Sequence, residues 1–256
     1  MNKLVAFLDR QPITRPLIES LRRLVYPANY NSTKYWIEQL SYDCPKYIVQ
    51  IGAHDGKTDD PIYKAINRNR QWSCLFVEPI PYLYQRLKAN HGDGARFQYE
   101  MAAIGDSAGS IPFYYIPESA FSAIPENYSQ IGSFSREHVL SLSQGVVDDY
   151  ITEMEVPCMT LNDLLTKHHI DDIHVLIIDA EGYDWKILAQ LDLDTIKPDI
   201  ILVEVLNLAE EEVSVLKKSM YQHYQLYRFK NDFLCVRPDI LKRQKHSELE
   251  PYKVVH

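Results

Sequence analysis

No cysteine pair in this chain is spaced for a metal or for redox exchange. The four, Cys44, Cys74, Cys158 and Cys235, are scattered and form no C-x-x-C, which argues against a zinc site or a disulfide framework and reads as buried, reduced thiols. Long apolar runs are missing as well. None approaches the ~20 residues of a membrane helix, and the opening MNKLVAFLDRQPITR sets an acid and a proline where a signal peptide would continue its apolar core. The expectation is a cytoplasmic protein with no membrane partner. Basic charge is in deficit: 27 Lys and Arg stand against 35 Asp and Glu, for a formal net charge of -8. With no basic stripe to compensate, nucleic acid is not the expected partner. The tightest basic cluster, Lys242, Arg243 and Lys245, reads as a solvated terminus.

What is present is an ordinary globular composition, 46% hydrophobic and 24% charged, long enough for one α/β domain with added segments. Helix-like spacing at Leu17, Leu21 and Leu24, and again from Tyr35 to Leu40, suggests an N-terminal helical cap over 1–46. From Tyr47, strand-like and helical runs alternate: YIVQI, a helix near 58–69, CLFVE, a helix near 80–90, RFQYEMAA, then IHVLIID and PDIILVEV with YDWKILAQL between them. Such alternation predicts a mostly parallel sheet with helices on both faces, and ligands at the carboxyl ends of its strands. YQLYRF and DFLCVRP, joined by Lys230 and Asn231, predict a closing antiparallel hairpin. The main domain is expected over 47–240, with a polar tail at 241–256. Within it, 114–156 shows no clear periodicity and reads as a substrate loop or lid.

The chemistry concentrates at strand ends. In YIVQIGAHDGK, Gly52 and Gly56 bracket a turn from strand to helix, where free N–H groups can meet a polar ligand. The third glycine of a dinucleotide-binding turn is absent. Glu78 closes the second strand, where a carboxylate accepts two hydrogen bonds from ribose hydroxyls. That position speaks for a nucleoside without choosing between cofactors. Asp179 and Glu181 stand where a buried strand meets a helix, and burial with mutual repulsion can raise a carboxyl pKa towards that of a useful base. The alternative is capping for Asp179 and a helix-dipole contact for Glu181. Glu204 ends the next strand. With Asn207, these acids are also an oxygen set of the kind Mg²⁺ accepts, although no metal is assigned. Ser133, Phe134 and Arg136, in the aperiodic segment, are candidate acceptor contacts, and its tyrosines suit a sugar or polyketide-like acceptor.

Taken together, VLIIDAEGYDWKIL, YIVQIGAHDG, FVEPIP, MAAIGDSAGSIPFY, VPCMTLNDLL and KPDIILVEV, in this order over roughly 47–237, resemble the FkbM family of S-adenosylmethionine (SAM)-dependent methyltransferases. The resemblance implies a class I methyltransferase (Rossmann-like) fold with a seven-stranded sheet, and SAM as cofactor. It also implies methyl transfer to a hydroxyl, on a sugar or secondary metabolite. Carried over by position, Gln50, Gly52, Ala53, His54 and Gly56 surround the methionine part, Glu78 and Pro79 the ribose, and Ala102 and Ala103 the adenine. Asp179 borders both cofactor and acceptor. Asp179 or Glu181 would be the base, with His54 in reserve, and Glu204 and Asn207 would meet the acceptor. Gln50 and His54 depart from residues common at their positions. Two other readings stand beside this one: a non-catalytic nucleoside-binding module of the same fold, and an NAD-dependent oxidoreductase. The N-terminal helices are compatible with covering the site or with pairing in a homo-oligomer.

Overall fold

The computed structural model describes residues 31–41, 46–243 and 247–254; the spacing of Leu17, Leu21 and Leu24 lies outside them. Its strands are β1 (Lys46–Ile51), β2 (Trp72–Val77), β3 (Phe97–Glu100), β4 (Ala103–Ile104), β5 (Gly109–Tyr115), β6 (Gly132–Ser133), β7 (Thr152–Met159), β8 (Val175–Ile178), β9 (Ile200–Glu204), β10 (Gln225–Phe229) and β11 (Asp232–Val236). Seven form one sheet in the order β10-β11-β9-β8-β1-β2-β3. All pairs are parallel except those of β11, which is antiparallel to both neighbours.

Both faces of this sheet are covered, which is why its central strands read as unbroken apolar runs. Side chains alternate between two cores. Val49, Leu75, Leu176, Ile201 and Phe233 meet the helices Leu161–Lys167, Asp184–Leu188 and Glu210–Met220. Ile48, Cys74, Val175, Ile200 and Leu234 meet Thr33–Leu40, Tyr63–Arg68 and Pro238–Leu241. Among the described residues, no helix is long and apolar enough to cross a membrane.

Three boundaries differ from the sequence expectation, each for a local reason. The helix expected from residue 58 begins at Tyr63, because Asp60 accepts the N–H groups of Ile62 and Tyr63 and Pro61 has no N–H to offer. RFQYEMAA is two strands: β3 ends at Glu100, and Ala103–Ile104 pairs with β7 in a second, four-stranded sheet. Segment 114–156 is built rather than structureless. β5 and β7 pair antiparallel from Gly109↔Cys158 to Tyr115↔Thr152, and the intervening 3-10 turns and helix Arg136–Leu142 enclose a small core of Ile116, Ala120, Ile124, Ile131, Val139 and Val147. Turns of three to five residues are too short to show a hydrophobic period.

The expected polar tail needs correction too. Its 3-10 turn, Ser247–Tyr252, docks on the sheet edge, with Leu249 fully buried and the Tyr252 ring stacked on Phe229 at 4.5 Å. Lys253 extends the contact as a bridge to Tyr227. Polar residues dominate the composition here, yet the two that decide the packing are apolar. Leu249→Ala is therefore expected to cost about 2–5 kcal/mol in urea unfolding, as core truncations do; a loss below about 0.5 kcal/mol would show the segment to be a surface appendage.

Candidate active site

The site begins with one close approach. Gly52, just past β1, has φ +76°, and a Cβ there would lie 1.7 Å from the Asp179 carbonyl oxygen just past β8. Only glycine lets the two strand ends meet at this distance. The turn then folds back, with Gly52 and Ala53 N–H groups donating to the Val77 carbonyl of β2 and the Gly56 N–H to Ala53. Gly56 also has a positive φ, and its backbone is pressed against Leu87 and His91 of helix Pro81–His91. It shapes the turn from behind and does not line the cavity.

That turn presents the His54 N–H to Glu78 at 2.8 Å, and Ile80 N–H binds the other carboxylate oxygen at 2.9 Å. The two donors fix the Glu78 side chain, which is 4% exposed, and leave acceptor capacity on both oxygens. Burial pushes its carboxyl up to about 8. A cavity of about 450 Å³ opens beside it. Gln50, Gly52, Ala53, His54, Glu78, Pro79, Ala102, Ala103, Ser133, Phe134, Asp179, Glu181 and Glu204 all line this cavity. His54 also reaches the inserted segment, its Nε2 lying 3.0 Å from Ser129 Oγ, and burial holds its imidazole below the usual range.

At the far wall the carboxylates crowd together. Protein surrounding Asp179 lifts its carboxyl to about 6, although much of the side chain's surface opens on the cavity. Glu181 is pushed to about 9 by burial and by Asp179, Glu204 and Asp184. Glu204 rises to about 8 by burial and by Asp179 and other acids. Asn207 lies behind these two and donates to Glu181 at 2.9 Å and Glu204 at 3.2 Å, without lining the cavity itself. Neither Asp179 nor Glu181 is the cap of this loop. Asp184, 1% exposed, accepts the N–H groups of Ala180 and Gly182 and holds the Asp-Ala-Glu-Gly turn, in which Glu181 and Gly182 both have positive φ.

Arg136 is not brought to the site; its guanidinium pairs with Asp148 at 2.6 Å on the exposed side of the insert. Sequence reasoning missed Asp60, Ser129, Asp184 and Asp232. Asp60, just before Pro61, carries a helix-start signal that points to its capping role. Asp232 is placed only by register, opposite Glu204 across β9 and β11. Among the described residues, no group of three or more His, Cys, Asp and Glu side chains converges as metal ligands.

A parallel sheet with one reversed strand second from its edge, a glycine turn after the first strand and a buried acid after the second define a class I methyltransferase architecture. The sequence pattern of the methyltransferase FkbM domain matches residues 50–233, and the chain belongs to that family. A comparison with curated proteins gave no match. Among solved structures, a chain of a fibrillarin/Nop5p complex aligns over 82% of this chain and 83% of its own, with 11% identity and a TM-score of 0.38. The plantazolicin methyltransferase BpumL, solved with a triazolic desmethylPZN analog and SAH, aligns over 92% and 95%, with 8% identity and a TM-score of 0.27. Both similarities are too distant to bear on the site.

The raised carboxyls have a sign that can be checked. Glu78, Glu181 and Glu204 sit near 8, 9 and 8 when folded, against an ordinary 4.5. The folded state therefore holds protons that the unfolded chain has released, so their contribution to stability is full below about 4.5 and is lost as pH rises towards 9. Tm of the ligand-free protein is expected to fall across that window, with a shallower fall for Glu78→Gln. A rising Tm would show that these acids are ionised and stabilised in the folded chain.

Proposed function

We propose that this protein transfers a methyl group from SAM to a hydroxyl oxygen of a small polar acceptor, such as a sugar or secondary metabolite. The observation that carries the reading is Glu78, pinned by two N–H donors and retaining acceptor capacity beside the cavity. Two vicinal hydroxyls of a ribose complete such a carboxylate, and about 450 Å³ lies within the usual range for a cofactor or ligand pocket. Gly52 lines the cavity where the methionine part would lie, and Ala102 and Ala103, small and apolar, suit an adenine face.

When bound, SAM supplies an electrophilic methyl on a sulfonium sulfur, which leaves as a neutral thioether. The chain has to hold the acceptor oxygen in line and remove its proton. Orientation of this kind contributes roughly 7–11 kcal/mol, and a positioned base about 10²–10⁴ in rate. Asp179 fits the base role best. Its carboxyl, near 6, is largely ionised at neutral pH, and it accepts no side-chain hydrogen bond from any described residue. Glu181, near 9, keeps its proton there. Asp179 would take the acceptor hydroxyl's proton. Ser133 and Phe134 of the insert close the acceptor side and exclude water.

Titration calorimetry with SAM, S-adenosylhomocysteine (SAH) and NADH tests the cofactor assignment. Binding of SAM and SAH that is lost in Glu78→Ala is expected; NADH binding in their place would point to an oxidoreductase. For the base, Asp179→Asn is expected to lower labelled-methyl transfer by about 10²-fold or more while retaining SAH binding. Unchanged turnover would remove Asp179 from that role.

A further inference from the structure

Four carboxylates line the cavity at the ends of β8, β9 and β11: Asp179, Glu181, Glu204 and Asp232. Their partners are few. Asn207 Nδ2 is shared between Glu181 and Glu204, and neither Asp179 nor Asp232 accepts a side-chain hydrogen bond from any described residue. No lysine, arginine or histidine among the described residues forms an ion pair with any of the four; Arg228 and Lys230 pull Asp232 down only through their field. Lys230 and Asn231 line the same cavity, yet no side chain of a described residue donates to Asp179 or Asp232, so this half-buried wall keeps acceptor capacity for a donor from elsewhere.

A second observation, on a different kind of group, points the same way. Gln50 registers with Ile177 on β8, and by strand alternation it shares a sheet face with Asp179, two residues further on. Gln50 is 3% exposed and lines the same cavity. Its Nε2 is committed to Asp60 at 2.7 Å, which leaves Oε1 buried with no donor. The unmet need on this face is again for N–H or O–H donors. The insert contributes Phe134 to the same cavity, set edge-on to Phe113 and Tyr183 at 5.6 and 4.9 Å. Carboxylates and an aromatic ring lining one cavity are a combination that binds an ammonium group, by charge and by cation–π attraction.

We propose that the methyl acceptor is an amine-bearing hydroxylated metabolite, of the amino sugar or amino alcohol class, whose ammonium group docks against Glu181, Glu204 and Asp232 while its hydroxyl meets Asp179. This rests on the methyl-transfer reading and narrows its substrate. A neutral polyol supplies donors but leaves the acids repelling one another, whereas an ammonium group supplies three donors and cancels the repulsion. It also favours ionised acids, so binding of the ammonium form near pH 7 releases protons from Glu181 and Glu204.

The test uses the full chain saturated with SAH and a panel of amino sugars and amino alcohols, each paired with its N-acetyl form. The amines are expected to bind at least about tenfold more tightly than their acetylated partners, a difference of about 1.4 kcal/mol. Their binding enthalpy at pH 7 should differ between phosphate and imidazole buffers as protons are released, and with SAM they should accept labelled methyl preferentially. In Glu204→Gln combined with Asp232→Asn the preference is expected to disappear, while SAM and SAH affinities stay within about twofold, which also shows that the variant is folded. Equal binding of the acetylated compounds, or no amine binding to the SAH complex, would overturn the proposal. An equal loss of SAM affinity in the double variant would assign the wall to the cofactor and overturn it as well. Failure of SAH to bind the native chain would strike the methyl-transfer reading itself and this inference with it.

Discussion

The close approach of Gly52 to the Asp179 carbonyl is the constraint on which the site depends. It brings the ends of β1 and β8 together more tightly than any residue with a Cβ would allow, and it sets where the chain turns. From that turn the His54 N–H is aimed at Glu78, and the loop after β8 is presented to the cavity. The hydrogen bonds of Gly52 and Ala53 to Val77 tie in the third strand end. Three strand ends thus act as one rigid edge, the kind of support that catalytic geometry requires.

On that edge the protein assembles charge in a place that disfavours it. Burial and mutual repulsion raise the carboxyls of the acids at adjacent strand ends. Asp184, itself raised to about 7 by burial, accepts two backbone N–H groups and becomes the scaffold of the loop. The acids left facing the cavity hold unsatisfied binding capacity. Fold stability and ligand recognition are therefore opposed here, as they commonly are at functional sites.

The insert is tied to this edge by an apolar cluster that joins its Val156, Met154 and Phe134 to Ile80, Leu83 and Ala103, and by polar contacts. It has a small core of its own, and Arg86 of helix Pro81–His91 reaches both Glu118 and Glu126 at 2.6 Å. His54 meets Ser129, and the Tyr82 hydroxyl donates to the Ile116 carbonyl. One histidine thus touches the Glu78 turn through its backbone and the insert through its ring, linking the two halves of the cavity.

The parallel sheet, its closing hairpin and the turn at Gly52 were legible in the residues, because burial on both faces demands continuous apolar strands and strand ends demand turn chemistry. Glu78, Asp179 and Glu204 were legible for the same reason, as acids placed where apolar runs stop. Tertiary structure alone decided the rest. Arg136 is drawn away by Asp148, twelve residues on; Asp232 enters the site through its register with Glu204; and Leu249 is buried by a sheet edge far from it in sequence. The sequence by itself determined which segments become strands and which acids stand at their ends, since those follow from periodicity and neighbours. Only the tertiary structure decided which acids face one another and what lies opposite them, because pairing register and electrostatic coupling depend on distances between residues that the chain order does not contain.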